Sequence, residues 1–250
     1  MSDEFDMEFD FVEAYDDEPI EDDGRLLPDN EPISGLNVGF IGVGGGGGKL
    51  AKAFLDLGFH KTLLINTTVK DQPSGVDENH FLLIPGADGV GKDVAMGKQI
   101  LSENSALVED AVRTRLGRVD WLFVFAGGGG GTGSASSALK STLERYLESI
   151  ESDGKVVFFA SKPTAQEMLN PTIKKNFKTI VADISETPHM IIDNERQLQL
   201  LRGKVGVSGM YPTANRNFAK MISQVLKLAE THSEIQTFDS KDLEKTFSSK

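Results

Sequence analysis

The chain has 250 residues, 39% of them hydrophobic, and no cysteine. That is enough for one large α/β domain with appendages, and it excludes disulfides and thiolate metal sites. The net charge of −12 is concentrated in residues 1–33, which hold 14 acids and one base, whereas the remainder holds 25 bases and 24 acids. The globular part therefore lacks a basic surface of the kind that binds nucleic acid. No apolar run reaches about 18 residues, so we expect a cytoplasmic protein with no membrane span.

Residues 1–34 are the first predicted unit, an acidic arm that precedes the domain. Among its acids stand the aromatic residues Phe5, Phe9, Phe11 and Tyr15. Because like charges repel and so few apolar groups cannot build a core, we predict that the isolated arm is disordered. Two interpretations are open: a solubilising tail, or an arm that binds a neighbouring subunit or a partner protein.

From residue 35 onward, strands alternate with helices. The predicted strands are 36–43, 61–67, 80–86, 119–126, 155–161 and 189–194. The predicted helices are one that Gly58 ends, one over 93–115, one over 133–151, one between the last two strands, and one over 214–232. Nearly continuous apolar strands between helices indicate a Rossmann-like α/β fold, a parallel sheet with helices on both faces. Ligands in such sheets bind beyond the carboxyl ends of the strands.

Two glycine runs stand at the ends of the first and fourth predicted strands. The first is IGVGGGGGKL (41–50) and the second is FAGGGGGTGSASS (125–137). Glycine lets the main chain turn sharply and lets a ligand approach without meeting a Cβ. A run that opens a helix also presents free N–H groups and the positive end of the helix dipole. Two such runs on one sheet suggest a polyphosphate bound from two sides.

Simpler explanations of the glycine runs can be weighed against this one. A Walker-type loop fails on spacing, because it would need glycine in place of Val43 and a hydroxyl residue in place of Leu50. A dinucleotide-binding loop is possible, since Gly42, Gly44 and Gly47 fit G-x-G-x-x-G. However, the second strand ends INTT, without the acid that such a fold uses to bind ribose. Merely flexible loops are a further alternative, although consecutive glycines are entropically costly.

A series of segments, in order, resembles the motifs of the tubulin/FtsZ superfamily. GGGGGTGSA resembles its GGGTGTG loop, and GFIGVGGGGGK is similar to the first glycine loop of FtsZ. LLINTT resembles the motif INTD, and GADGVGKDVAMG stands where the family has its γ-phosphate-sensing loop. ASKPTAQE resembles the segment after the fifth strand, and IIDNERQLQLL resembles IPND-x-LL. Residues 217–239 then follow the central helix and synergy loop, so the resemblance covers residues 35–247.

The resemblance implies a site for GTP or GDP in a domain over 35–230. Backbone N–H groups of both glycine loops would bind the phosphates, with added hydroxyl donors from Thr132 and Ser134. Glu167 would bind the ribose, Asn194 and Asn217 would read the base, and Tyr211 would stack on it. The implied phosphate-binding set is Gly44, Gly45, Gly46, Gly47, Gly48, Lys49, Asn66, Thr67, Gly91, Lys92, Gly129, Gly130, Gly131, Thr132, Gly133 and Ser134.

The resemblance also implies hydrolysis completed between subunits. QTFDSKDLEKTF in the last predicted unit, 231–250, is similar to the synergy motif NxDxxD. Its Asp239 and Asp242 would position a water over the GTP of the next molecule, although Asp239 or Ser240 could instead cap a helix. Mg²⁺ bound through the nucleotide and head-to-tail self-association are further implications; a non-polymerising nucleotide-binding adaptor is the alternative. The chain departs from the family pattern at Ala135, which replaces the last glycine of the second loop.

Overall fold

Six parallel strands form the sheet. The computed structural model describes residues 36–228 and 240–248. The strands are β1 (Val38–Val43), β2 (Thr62–Asn66), β3 (Phe81–Leu83), β4 (Trp121–Gly127), β5 (Val156–Lys162) and β6 (His189–Asp193). They lie in the order β3-β2-β1-β4-β5-β6, and all neighbours are parallel. The chain changes direction across the sheet between β1 and β4, which is the switch point where open sheets of this kind bind ligands.

Helices connect the strands and cover both faces of the sheet. They are α1 (Gly44–Leu55), α2 (Val94–Glu103), α3 (Ser105–Ala111), α4 (Gly131–Ser134), α5 (Lys140–Ser149), α6 (Pro171–Ile184), α7 (Asn194–Leu201), α8 (Met210–Leu228) and α9 (Ser240–Ser248). The predicted parallel α/β fold with helices on both faces is therefore confirmed. Among the described residues, every helix is too short or too polar to cross a lipid bilayer.

One face of the sheet has a largely aliphatic core. Helices α2, α3, α5 and α6 bury side chains such as Leu101, Leu143 and Ile180 against Ile41 and Val124 of the central strands. Burial of each such side chain stabilises the fold by about 1.5–3 kcal/mol relative to exposure. This face therefore fixes the helices that follow β3, β4 and β5, and with them the loops at the carboxyl edge.

The opposite face has an aromatic core under α1, α8 and α9. The ring of Phe54 in α1 stacks on Phe125 of β4 with centroids 4.9 Å apart. Phe218 of α8 stands edge-on to Phe125 at 6.4 Å, and Phe247 of α9 packs on Phe123 at 4.9 Å. Buried aromatic pairs of this kind stabilise beyond the area that they remove from water. The aromatic cluster thus holds α9, the last of the described helices, against a central strand.

The element boundaries differ from the sequence-based predictions at four helices. Helix α1 begins at Gly44, so the glycine run forms its first turns instead of preceding it. The predicted helix over 93–115 divides at Asn104, whose Nδ2 donates to Ile100 O at 2.8 Å and ends α2. The predicted helix over 133–151 is divided into α4, a 3₁₀ turn (Ser136–Leu139) and α5. The predicted helix over 214–232 begins earlier, at Met210. Tertiary packing overrides local propensity at the first of these, because glycine is a poor helix former.

Three predictions fall outside the described residues and stay predictions. They concern the acidic arm over 1–34, the acidic residue Asp239, and the interval 229–239 between α8 and α9.

Candidate functional site

The two glycine runs meet at the switch point between β1 and β4. We call Gly44–Gly48 the first glycine segment and Gly127–Gly131 the second glycine segment. A Cβ on Gly44 would lie 2.7 Å from the backbone nitrogen of Gly133, and one on Gly47 would lie 2.1 Å from a carbonyl oxygen of β4. Gly44 also has a φ of +71°, which other residues rarely adopt. The first segment therefore needs glycine because its main chain lies against β4 and α4. It also touches the second segment, since a Cβ on Gly46 would lie 3.2 Å from Gly127 Cα.

Both segments open helices. Helix α1 begins with the first segment, and α4 begins at the last residue of the second. Among the described contacts, no side chain caps either helix, and α1 has no acid in its first turn. The first N–H groups of a helix lack partners within it, and the dipole makes that end positive. The carboxyl edge of the sheet therefore offers main-chain donors to an anion.

Two buried threonines join β2 to the chain that follows the second glycine segment. Thr67 Oγ1 and Thr132 Oγ1 are 2.9 Å apart, and Asn66 Oδ1 accepts a hydrogen bond from Thr67 N–H at 2.8 Å. Ser134 is fully buried, with its hydroxyl 3.5 Å from Gly127 O. The hydroxyls that the resemblance assigns to the phosphates therefore have partners inside the protein as well.

The departure at Ala135 is accommodated by a second helix. Ala135 is fully buried and has helical φ and ψ of −89° and −2°, so the position does not require glycine. Its neighbour is Gly97 of α2, where an added Cβ would lie 2.9 Å from the Ala135 Cβ. The extra methyl group of Ala135 thus fits because α2 carries glycine opposite it.

The loop over residues 86–93, which we call the 86–93 loop, lies on the second glycine segment. A Cβ on Gly131 would be 2.5 Å from Val90 Cγ2. Gly91 and Lys92 have φ values of +52° and +72°. The chain therefore turns sharply at the two residues predicted to lie beside a γ-phosphate, and contact with Gly131 brings this turn to the glycine segments.

Carboxylates also stand at this edge. Asp88 Oδ2 lies 2.6 Å from Lys70 Nζ, and Asp88 Oδ1 accepts from Thr68 Oγ1 at 2.8 Å. These hydrogen bonds, that of Lys70 foremost, lower the pKa of Asp88. Asp71 lies against the first glycine segment, with Oδ2 2.9 Å from the position of a Cβ on Gly45. Sequence reasoning missed Asp71, because it follows β2 by five residues in a 3₁₀ turn.

Asn176 is a second residue that sequence reasoning missed. It is only 4% exposed, and its Nδ2 donates to Lys92 O at 2.9 Å and lies 3.4 Å from Gly129 O. A signal was available: Asn176 follows Ile173 by three residues and precedes Ile180 by four, which puts an amide on the apolar stripe of a helix.

Glu167 and Tyr211 meet beyond the carboxyl end of β5. Tyr211 OH donates to Glu167 Oε2 at 3.2 Å, and the same oxygen accepts from Thr164 N–H at 2.7 Å and Thr164 Oγ1 at 2.9 Å. Burial, followed by the charge of Glu167, raises the pKa of Tyr211 to about 12. The structure thus brings these two predicted site residues together and orients the carboxylate through three hydrogen bonds to one oxygen.

The amides predicted to read the base lie on α7 and α8. Asn194 is the first residue of α7. Asn217 is six residues after Tyr211 on α8 and therefore faces about 120° away from it. Asn215 is four residues after Tyr211 and shares its face. The structure does not bring Asn217 to the Tyr211 face, and it offers Asn215 there instead; the i, i+4 spacing was visible in the sequence.

Asp242 lies on α9, the helix that packs near the amino end of β4. Helix α8 starts beside Glu167, and its 19 residues extend about 28 Å over the aromatic face. Helix α9 follows and is anchored by Phe247. Asp242 is exposed in the first turn of α9. Because Phe247 packs on Phe123 near the amino end of β4, α9 is anchored toward the end of that strand that lies away from the glycine segments.

Comparison with known proteins identifies the fold. No protein-family model matches the chain, and no curated protein matches it. Among solved structures, CetZ2 from Haloferax volcanii in a GTPγS-bound protofilament matches with a TM-score of 0.66 and 24% identity over 80% of this chain and 60% of that one. TubZ from Bacillus thuringiensis serovar israelensis, in a GTPγS-form protofilament, matches with a TM-score of 0.69 and 19% identity over 88% and 63%. The M. jannaschii FtsZ dimer matches with a TM-score of 0.66 and 18% identity over 85% and 60%.

The chain has the tubulin/FtsZ fold. The resemblance drawn from the motifs is confirmed at this level. The strand order β3-β2-β1-β4-β5-β6 is also the order of dinucleotide-binding sheets. The order by itself therefore does not distinguish the tubulin/FtsZ fold from a dinucleotide-binding fold. The chain spans 56% to 63% of the first three tubulin/FtsZ-type chains that it matches.

Proposed function

We propose that the protein binds GTP, hydrolyses it to GDP and phosphate, and self-associates head to tail as a cytoskeletal protein of the tubulin/FtsZ type. One observation carries the proposal: the two glycine segments interlock at the switch point and open two uncapped helices at one edge of the sheet. The matching structures of CetZ2 and TubZ are protofilaments with GTPγS, and they support the choice of ligand.

The phosphates would bind at the main-chain N–H groups of the two glycine segments. The diphosphate would lie over Gly129 to Ser134, and the γ-phosphate would face the turn at Gly91 and Lys92. Lys49 is exposed on α1 and adds a positive charge. The described residues contain no cluster of three metal-ligating side chains, so Mg²⁺ would be held mainly by the phosphates, as is usual for this ion. Asp71, which lies beside Gly45, would add a carboxylate ligand.

The nucleoside would lie toward α7 and α8. Glu167, already held by Thr164 and Tyr211, would accept hydrogen bonds from the ribose hydroxyls. The base would contact Tyr211, and an amide supplies both the donor and the acceptor that guanine needs. Asn194 and Asn217 are the amides that the resemblance implies, and Asn215 is the one that shares the Tyr211 face. Affinity for GTP should therefore fall more in Asn215→Ala than in Asn217→Ala.

Hydrolysis would require two molecules. Because α9 is anchored on Phe123, toward the amino end of β4 and away from the glycine segments, Asp242 would act on the phosphates of a neighbour. Positioning and polarising a water near the γ-phosphate are sufficient for this kind of chemistry. Asp239 is predicted to share the role. Turnover per molecule should therefore rise with protein concentration.

A mixing experiment tests this arrangement directly. Gly130→Trp should block the nucleotide site, because Gly130 is exposed and nothing lies within 4 Å of its added Cβ. Asp242→Ala should bind GTP normally but turn it over about 100-fold more slowly. Each variant alone should be inactive, and an equal mixture should recover about a quarter of wild-type turnover, since a quarter of random head-to-tail contacts pair an intact site with Asp242.

Two other outcomes would contradict the proposed GTPase function. Tight GTP binding by a monomer, with turnover that does not depend on concentration and no recovery on mixing, would support a non-polymerising nucleotide-binding protein. Binding of NAD in preference to GTP would overturn the proposed ligand.

A further inference from the structure

Helix α6 packs against the second glycine segment. A Cβ on Gly128 would lie 2.6 Å from Phe177 Cδ2, and one on Gly129 would lie 3.1 Å from Ile173 Cγ2. Residues 173, 176 and 177 share one face of the helix. Two of the three are apolar and fill space under the glycines, and the third is the amide of Asn176.

The Asn176 amide connects two loops that follow different strands, β3 and β4. Its Nδ2 group donates to Lys92 O in the 86–93 loop at 2.9 Å and lies 3.4 Å from Gly129 O in the second glycine segment. Lys92 has a left-handed φ of +72°, a conformation that costs free energy for a residue with a Cβ and persists only when its surroundings hold it. Asn176 is one of the groups that hold it.

We propose that Asn176 is a positioning residue that couples the γ-phosphate side of the site to the diphosphate side. This inference rests on the proposed nucleotide site. One amide fixes the carbonyl of Lys92 and approaches that of Gly129, so a ligand that orders either loop favours the bound arrangement of the other. Occupancy of the γ-phosphate position would thereby be transmitted to α6 through a buried side chain.

The coupling predicts a selective loss of affinity. Asn176→Asp keeps the size and shape of the side chain but replaces the donor by a carboxylate facing two carbonyl oxygens. The 86–93 loop would then lose its tether, while the main-chain donors of the second glycine segment would remain. Affinity for GTPγS should fall about tenfold, and affinity for GDP should change less than about threefold, as expected for a lost hydrogen bond to one part of the site.

Thr179→Val is the matched control on the same helix. Thr179 Oγ1 donates only locally among the described contacts, to Lys175 O at 3.1 Å, and valine keeps its shape. This control should leave both affinities unchanged. An equal loss for GTPγS and GDP in Asn176→Asp would mean that Asn176 serves folding alone and would overturn the coupling, as would unchanged affinities.

Hydrogen exchange tests the coupling without nucleotide, so its failure can be told from failure of the proposed function. In the free protein, Asn176→Asp should speed exchange at residues 89–93 and 128–131 and leave the strands protected. Asn176→Ala gives a second variant with the same expected pattern. Unchanged exchange in both variants would overturn the inference even if GTP binds. Faster exchange in a protein that binds no GTP would retain the loop coupling and reject the ligand.

Discussion

The two glycine segments look alike in sequence but meet different surroundings. In the first segment, an added Cβ would meet other atoms at every position, most closely the carbonyl oxygen of Phe125 beside Gly47. In the second segment, an added Cβ on Gly128 or Gly131 would also clash with neighbouring atoms. Gly130, by contrast, is exposed and has nothing within 4 Å of its added Cβ. Of these ten glycines, all within the described residues, Gly130 alone is open. Most of the glycines are thus needed by the protein itself, and the open one marks where a ligand can approach.

Adding one methyl group to each segment tests this difference in surroundings most directly. Gly47→Ala would put a Cβ 2.1 Å from Phe125 O, so α1 or β4 must move. We expect a loss of more than about 3 kcal/mol in the free energy of unfolding. Gly130→Ala should cost less than about 0.5 kcal/mol. Chemical denaturation of both variants measures the difference; similar losses would contradict the contrast.

A series of side chains at residue 130 sharpens the role of the open position. Affinity for GTPγS should fall in the order Gly, Ala, Val, Trp, because each larger side chain takes more of the space above the second glycine segment. We expect a loss of at least about 100-fold for Gly130→Trp, or about 2.7 kcal/mol of binding free energy. Gly206→Trp is the control, since Gly206 is also exposed and open. Unchanged affinity throughout the series would place the ligand elsewhere.

The threonine pair behind the second glycine segment should have an intermediate effect. Thr132→Val keeps the shape of the side chain and removes one partner of the 2.9 Å contact with Thr67. The free energy of unfolding should fall by about 1–2 kcal/mol, because a buried hydroxyl is left without its partner. Adding Thr67→Val should cost little more, and a double-mutant cycle measures this. Additive losses would show that the two hydroxyls act independently.

The smallest effect is expected at Tyr211. Its pKa is raised to about 12 in the folded protein, above the value of about 10 for free tyrosine. Between these values the folded state keeps a proton that the unfolded state has released, so stability falls as pH rises above about 10. Tyr211→Phe should remove this part of the pH dependence, which denaturation at several alkaline pH values measures. An identical slope in the variant would assign the effect to another group.

Much of the fold could be predicted from sequence because strands buried on both faces are continuous apolar runs. The aromatic and aliphatic faces could not be separated in advance, since alternation within a strand says nothing about which face receives which helix. The start of α1 at Gly44 was missed because glycine disfavours helix locally. Glycine is needed there because an added Cβ would lie 2.7 Å from the backbone nitrogen of Gly133 in α4.

The candidate site divides in a similar way. Helix register led to Tyr211, and motif succession led to both glycine segments and Glu167; all of these lie at one edge. It missed Asp71 and Asn176, because neither belongs to a motif and each acts through contacts made by folding. Asn217 was chosen on register alone, and helix geometry favours Asn215 on the Tyr211 face. Single residues on long helices are predicted least well, since a shift of two positions turns a side chain to another face.

The proposed contact between Asp242 of one molecule and the glycine segments of the next would give the assembly a direction. A row of such molecules in head-to-tail contact would end in two chemically unlike surfaces, with glycine segments bare at one tip and acids bare at the other. The nucleotide at the first tip would have no neighbour to supply Asp242, so it would outlast those inside the row. Growth and loss of subunits would then differ between the tips, with no second protein needed to tell them apart.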